Sequence, residues 1–252
     1  MRRALLIGVL ALLLAGCGGG DGTAEPTDTD TETTPAETTS LSVYWLREGK
    51  VWPALREVEE TEAVAEVALE ELLAGPTDGE EAELFFSTAI PDGASLESVA
   101  VENGVAEVEL SAELPHEALA QVVYTASQFE TVDSVEVGGE SYTRADFEDV
   151  TPAILVESPR YFEDVDNPLR AVGTANTFEA TFQYELTDTD GRIVDQGFVT
   201  ATSGSGERGT FDFTTNEYEI PFDGIGALFV FEISAKDGSR TNLVEIPVRM
   251  SR

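Results

Sequence analysis

Apolar and polar positions alternate along most of this chain, and the period of alternation changes from stretch to stretch. The segments LSVYWL (41–46) and VWPALREV (51–58) predict two strands joined by a turn at Glu48-Gly49-Lys50. Pro53 makes the second an edge or bulged strand, because it has no N–H to give to a ladder. A helical period follows: Val64, Val67, Ala68 and Leu72 recur on one face, with Thr61 as the expected cap and Gly75-Pro76 as the stop. Glu62, Glu66 and Glu70 sit four apart on the opposite face. Like charges at that spacing are unfavourable, so packing has to hold this helix.

LESVAVENGVAEVEL (96–110) predicts a hairpin, with Asn103-Gly104 supplying the two positive-φ residues of a type I′ turn. Leu119, Val122, Val123, Ala126 and Phe129 form the apolar stripe of a second helix, with Pro115 in its first turn. VDSVEVGGE (132–140) predicts a closing strand. The order β-β-α-β-β-α-β gives an α+β N-terminal domain over 41–141, with helices on one face of a mixed sheet. Tyr142–Thr151 is polar and reads as a linker. From 150 to 252 no helical period recurs. Seven strand-like segments, AILVES, LRAVGTA, TFEATFQYEL, RIVDQGFVTA, GTFDFTT, ALFVFEIS and NLVEIPVRM, predict an all-β immunoglobulin-like sandwich without a disulfide. In the third, Phe178, Ala180, Phe182, Tyr184 and Leu186 fall on one face; Asp190-Gly191 and Asp237-Gly238 supply turns.

The first 40 residues follow a different logic. Met1-Arg2-Arg3 and the 11-residue apolar run Ala4–Leu14 form a signal-peptide pattern, too short to span a bilayer that needs about 20 residues. Leu14-Ala15-Gly16-Cys17 resembles the bacterial lipobox, which implies cleavage after residue 16 and a diacylglycerol thioether on Cys17. Two or three acyl chains anchor lastingly where one does not. Cys17 is the chain's one cysteine, so an intrachain disulfide is impossible and the mature chain has no other thiol. Residues 17–40, dense in Thr, Asp, Glu and Pro, predict a disordered tether. The expected location is the outer face of the cytoplasmic membrane.

Charge narrows the partners. With 49 acidic and 14 basic residues the net charge is −35, which excludes nucleic acid. It suits high ionic strength. Lys50 and Lys236 are the two lysines beside 12 arginines, a bias that salt adaptation and a GC-rich genome explain equally well. Catalytic candidates are few. His116 is the single histidine, in the polar first turn of the second helix, and reads as a solvent-exposed residue. No G-x-S-x-G motif accompanies it. Carboxylate pairs are inevitable among 49 acids and carry no information. The composition excludes a His/Cys zinc site. Asp188-Thr189-Asp190-Gly191 reads as a hairpin turn and Glu163–Asp166 as a solvated loop, each with a weaker reading as a Ca²⁺ ligand set. Trp45 and Trp52 are core residues or a contact patch. No cofactor and no catalytic residue is expected.

Two resemblances add to this. LLAGPTDGEE, STAIPDG, the Asn-Gly hairpin and ALAQVVYTASQFETVDSVEV resemble, in that order, the GerMN domain of sporulation and spore-germination lipoproteins. Ser158-Pro159, GTANTFEATF, DTDGR, KDGS and the closing IPV resemble the immunoglobulin-like domain of bacterial spore germination proteins. Together they imply an anchored, non-enzymatic binding or assembly module whose partners are envelope proteins or wall components. A wall-active enzyme and a small-ligand or Ca²⁺ binder are the alternatives.

Overall fold

The computed structural model describes residues 37–252. Its first domain opens with a hairpin of β1 (Thr38–Arg47) and β2 (Lys50–Glu59), closed by Glu48 and Gly49 at positive φ. Strand β1 takes in the last three residues of the expected tether, because Thr38–Ser40 pair with Glu57–Glu59. Residues 1–36, with the expected signal peptide, Cys17 and most of the expected tether, lie outside the described residues. Trp45 and Trp52 face each other across the hairpin and are both buried, so they are core.

Helix α1 (Val64–Ala74) follows, burying Ala65, Ala68, Leu69 and Leu72. Thr61 does not cap it. Ala63 is the N-cap, and the Thr61 hydroxyl, two residues earlier, accepts the Ala63 N–H instead of one from the helix. Helix α2 (Asp78–Leu84) was not foreseen, although Thr77-x-x-Glu80 is a capping-box pattern. The Thr77 side chain accepts the Glu80 N–H while Glu80 accepts the Thr77 N–H at 2.8 Å. Glu80 also pairs through both oxygens with Arg56 of β2, each at 2.7 Å. Replacing Thr77 by Ala should cost about 1 kcal/mol, seen as faster amide exchange at Glu80 and Glu81.

The hairpin β3 (Leu96–Glu102) and β4 (Val105–Leu110) turns at Asn103-Gly104 as expected, both at positive φ. Helix α3 (His116–Ala126) starts one residue after Pro115, which is its N-cap. β5 (Ser134–Val137) then pairs parallel to β4, and β6 (Glu140–Tyr142) turns back on β5 through Gly138-Gly139. The domain therefore has two sheets where one was expected: the β1–β2 hairpin and a mixed sheet in the order β3-β4-β5-β6.

Helix α3 packs on β1, α1 and β5, and is buried on nearly every side. That placement explains why its buried residues include Gln121 and Thr125. With Gln128 they line one helical edge and serve as a substitute strand for β1. Gln128 brackets the Ser42 amide, at 2.7 Å to both its N–H and its C=O. Thr125 accepts the Tyr44 N–H, and Gln121 donates to the Tyr44 carbonyl at 2.9 Å while accepting the Ala89 N–H. Ser87 completes the edge at Leu46. An exposed sheet edge is a template for wrong pairing, and here side chains close it.

The second domain is a two-sheet sandwich. Its strands are β7 (Ile154–Ser158), β8 (Asp164–Val165), β9 (Arg170–Ala175), β10 (Thr181–Thr187), β11 (Ile193–Thr200), β12 (Gly209–Thr214), β13 (Gly224–Ile233) and β14 (Arg240–Met250). A five-stranded sheet, β11-β10-β13-β14-β8, faces a three-stranded one, β12-β9-β7. Phe182, Tyr184 and Leu186 point inward, with Phe182 and Tyr184 meeting Phe211 and Phe213 of β12 at ring separations of 4.9 and 4.6 Å. All seven expected strands exist; the two-residue β8 is an addition. Phe178 leaves the predicted face and is exposed, because Glu179 and Ala180 adopt positive φ and break the strand before Thr181. Gly173 allows β7 and β9 to approach: a Cβ there would lie 2.0 Å from the Leu155 carbonyl oxygen.

Candidate functional site

His116 sits at the first residue of α3, half exposed. It is more than a solvated side chain. Its Nε2 lies 3.0 and 3.2 Å from the two Asp149 oxygens, and its ring lies against Phe147 at 5.0 Å. This is a surface hydrogen-bonded contact whose partner carboxylate faces water.

The Asp188–Gly191 stretch is the β10–β11 turn, as expected. Asp188 accepts the N–H groups of Asp190 and Arg192 and pairs with the Arg192 guanidinium. Glu163 corrects the reading of a solvated loop. It accepts the Arg160 N–H at 2.6 Å and two guanidinium bonds from Arg160, while Asp164 and Val165 form β8 beside β14. Among the described residues no group of three or more His, Cys, Asp or Glu side chains is placed to hold a metal ion. No helix among them is long and apolar enough to cross a membrane.

The expected linker is the most organised polar region of the molecule. Residues Arg144–Val150 form two 3-10 turns that meet at a kink at Phe147, opened by a Thr143–Asp146 capping box, with Phe147 and Val150 buried. Charged and polar letters hid this, since only Phe147 and Val150 of the ten are buried apolar side chains and two positions carry no period. Arg144 is the hub. It donates to Glu157 Oε1 at 2.5 Å, to Ser127 Oγ at 2.8 Å and to the Tyr124 carbonyl at 3.3 Å. Its guanidinium lies over the rings of Tyr124 and Tyr44, at 4.7 and 5.5 Å. The Tyr44 hydroxyl donates to the same Glu157 oxygen at 2.6 Å, so β1 of the first domain and β7 of the second share one carboxylate. Burial works against the Arg144 charge, but neighbouring Tyr44 and Glu157 outweigh it and raise its proton affinity.

Three further arginines cross the same seam. Arg208 forks onto Glu148 at 2.7 and 3.0 Å and donates to the Pro152 carbonyl. Arg160 reaches Ser42 Oγ at 3.3 Å. Arg47 lies over Trp52 at 4.6 Å and Tyr161 at 5.1 Å, with Phe86 edge-on to Tyr161 at 5.5 Å. Arginine suits such sites because its planar fork binds carboxylates and stacks on rings together. The two domains thus pack as one compact unit.

The seam predicts an acid response. Burial pushes the Glu148 carboxyl up, but bonds from Arg208 and Asn176 more than offset this and hold it below its ordinary value of 4.5. Glu163 behaves alike, burial opposed by Arg160. Carboxyls depressed in the folded state stabilise above the unfolded value and lose that contribution as pH falls through the folded one. The thermal midpoint should be flat from neutrality down to about pH 5 and fall below about pH 4.5. Glu148→Gln should shrink that fall.

Two outer sheet faces are left uncovered by the described residues. One is the face of β3-β4-β5-β6 away from the helices, where Glu107 stands directly opposite Glu136. Glu97, Glu109, Glu113 and Glu140 line the same cavity of about 850 Å³. The other is the outward face of the five-stranded sheet.

The comparisons follow the same division. Residues 42–142 match the family described as sporulation and spore germination, and residues 153–239 the immunoglobulin-like domain of bacterial spore germination. Among solved structures, the tandem GerMN domains of the sporulation protein GerM from Bacillus subtilis are 21% identical with a TM-score of 0.34. That match covers 43% of this chain and 43% of that chain, so this chain spans under half of the tandem protein's length. The first GerMN domain of the same protein is 20% identical with a TM-score of 0.34, over 42% of this chain and 86% of that one. No curated protein matches. This chain carries a sporulation and spore germination domain followed by the immunoglobulin-like domain of bacterial spore germination.

Proposed function

We propose that the protein is a lipid-anchored envelope component that binds or assembles with other envelope proteins, without catalysing a reaction. The observation that carries this reading is the arginine seam. Two domains of spore-germination families are joined through Arg47, Arg144, Arg160 and Arg208, which fixes two open sheet faces at a set angle. A fixed pair of faces is what a scaffold needs, whereas a hinged pair suits a protein that closes on a substrate. The anchor rests on Leu14-Ala15-Gly16-Cys17, and the tether length sets how far the unit stands from the membrane.

Two measurements test this. Intact mass of the protein from native membranes should show loss of residues 1–16 and acyl chains on Cys17; an unprocessed, unacylated N-terminus contradicts the anchor. Affinity isolation from detergent-solubilised envelope should enrich one defined partner. Release of soluble fragments from purified wall by the protein would instead make it an enzyme.

A further inference from the structure

The outward face of the five-stranded sheet is unusual on a chain of net charge −35. Phe198, Gln183 and Phe231 form one row across β11, β10 and β13; Phe198 is open, while Phe231 is buried under Arg240 at 1% exposure. Phe229 lies in the next row, and Ile193 and Ile225 lie toward the other end. Phe198 is 76% exposed, and Ile193 and Ile225 are each 46% exposed. The two cations of this face are already engaged: Arg240 lies 4.2 Å over Phe231 and pairs with Glu185, and Arg249 donates to the Phe162 carbonyl. Carboxylates border the Phe198 row: Glu185 and Glu245 flank Phe229 in the next row, and exposed Asp190 and Glu179 lie at the two ends of β10.

An apolar centre with a charged rim is the anatomy of a protein contact. The rim's sign decides among occupants. A second copy would set Glu245, Asp190 and Glu179 against their own equivalents, on a molecule that already repels itself. An anionic lipid surface meets the same objection. We propose that this face docks a partner protein whose contact surface is apolar at its centre and carries Lys or Arg at its rim. The proposal rests on the binding-module reading and adds the partner's chemistry to it.

The test uses the full chain with Cys17→Ser and three synthetic peptides: alternating Leu/Lys, Ser/Lys of equal charge, and Leu/Glu. The Leu/Lys peptide should bind at least tenfold more tightly than Ser/Lys, and Leu/Glu should not bind. Phe198→Ser and Ile225→Ser, both at exposed positions, should abolish the Leu/Lys advantage with an unchanged thermal midpoint, and Glu245→Lys should weaken binding further. Equal binding by Phe198→Ser and the parent overturns the proposal. So does sedimentation as a dimer that Phe198→Ser dissolves, or vesicle binding that the same change removes. Isolation from envelope with Phe198→Ser separates the two levels. A defined partner retained by the variant refutes this face and leaves the binding module standing; no defined partner with either protein refutes the module itself.

Discussion

Gln121→Leu should destabilise the protein by about 4 kcal/mol, although it exchanges one side chain for another of similar volume in a fully buried site. The loss is polar. Gln121 donates to the buried Tyr44 carbonyl and accepts the half-buried Ala89 N–H, and both backbone groups would lose their partner. Each buried orphan costs about 1–3 kcal/mol. At about 2–4 °C per kcal/mol for a chain of this size, the midpoint should fall by roughly 8–16 °C. Amide exchange at Ala89 should accelerate more than the global change requires, because its N–H loses its acceptor directly. A shift under about 2 °C would mean that β1's edge is satisfied some other way.

Arg144→Ala should cost about 2–3 kcal/mol, less than removing one partner of a fully buried pair, because both side chains of the Arg144–Glu157 pair keep 24% of their surface exposed. Glu157 would keep its Tyr44 bond and lose its counter-charge. Ser127 and the Tyr124 carbonyl would lose a donor, and two aromatic rings would lose the guanidinium that covers them. Adding Glu157→Gln should recover part of the loss, since the unpaired charge is then gone. Arg144→Lys should fall between, keeping charge without the fork. Additive losses in the Arg144→Ala/Glu157→Gln pair would show that the two groups are not coupled.

What could be read from the sequence was the part governed by period. The β1–β2 hairpin, the Asn103-Gly104 turn, both longer helices and seven strands of the sandwich all announce themselves by alternation and turn residues. The seam does not. Arg47, Arg144, Arg160 and Arg208 are scattered over more than 160 positions, and their partners lie in other elements. Nothing local marks an arginine as half-buried in a seam. Gln121, Thr125 and Gln128 are different: their spacing of four and three is helical, so the signal was present but read for apolar residues alone. Phe178 was misplaced because positive φ at Glu179 and Ala180, neither a glycine, leaves no mark in the sequence. The same limit applies to the proposed docking face, since outward and inward phenylalanines look alike until the sheets are paired.

The central claim is that two spore-germination domains unfold and act as one body. Scanning calorimetry of residues 37–252 tests it most directly. A single transition whose van't Hoff and calorimetric enthalpies agree, split or broadened by Arg144→Ala, is the expected result. Two separate transitions in the parent protein, with midpoints that Arg144→Ala leaves unmoved, would contradict it.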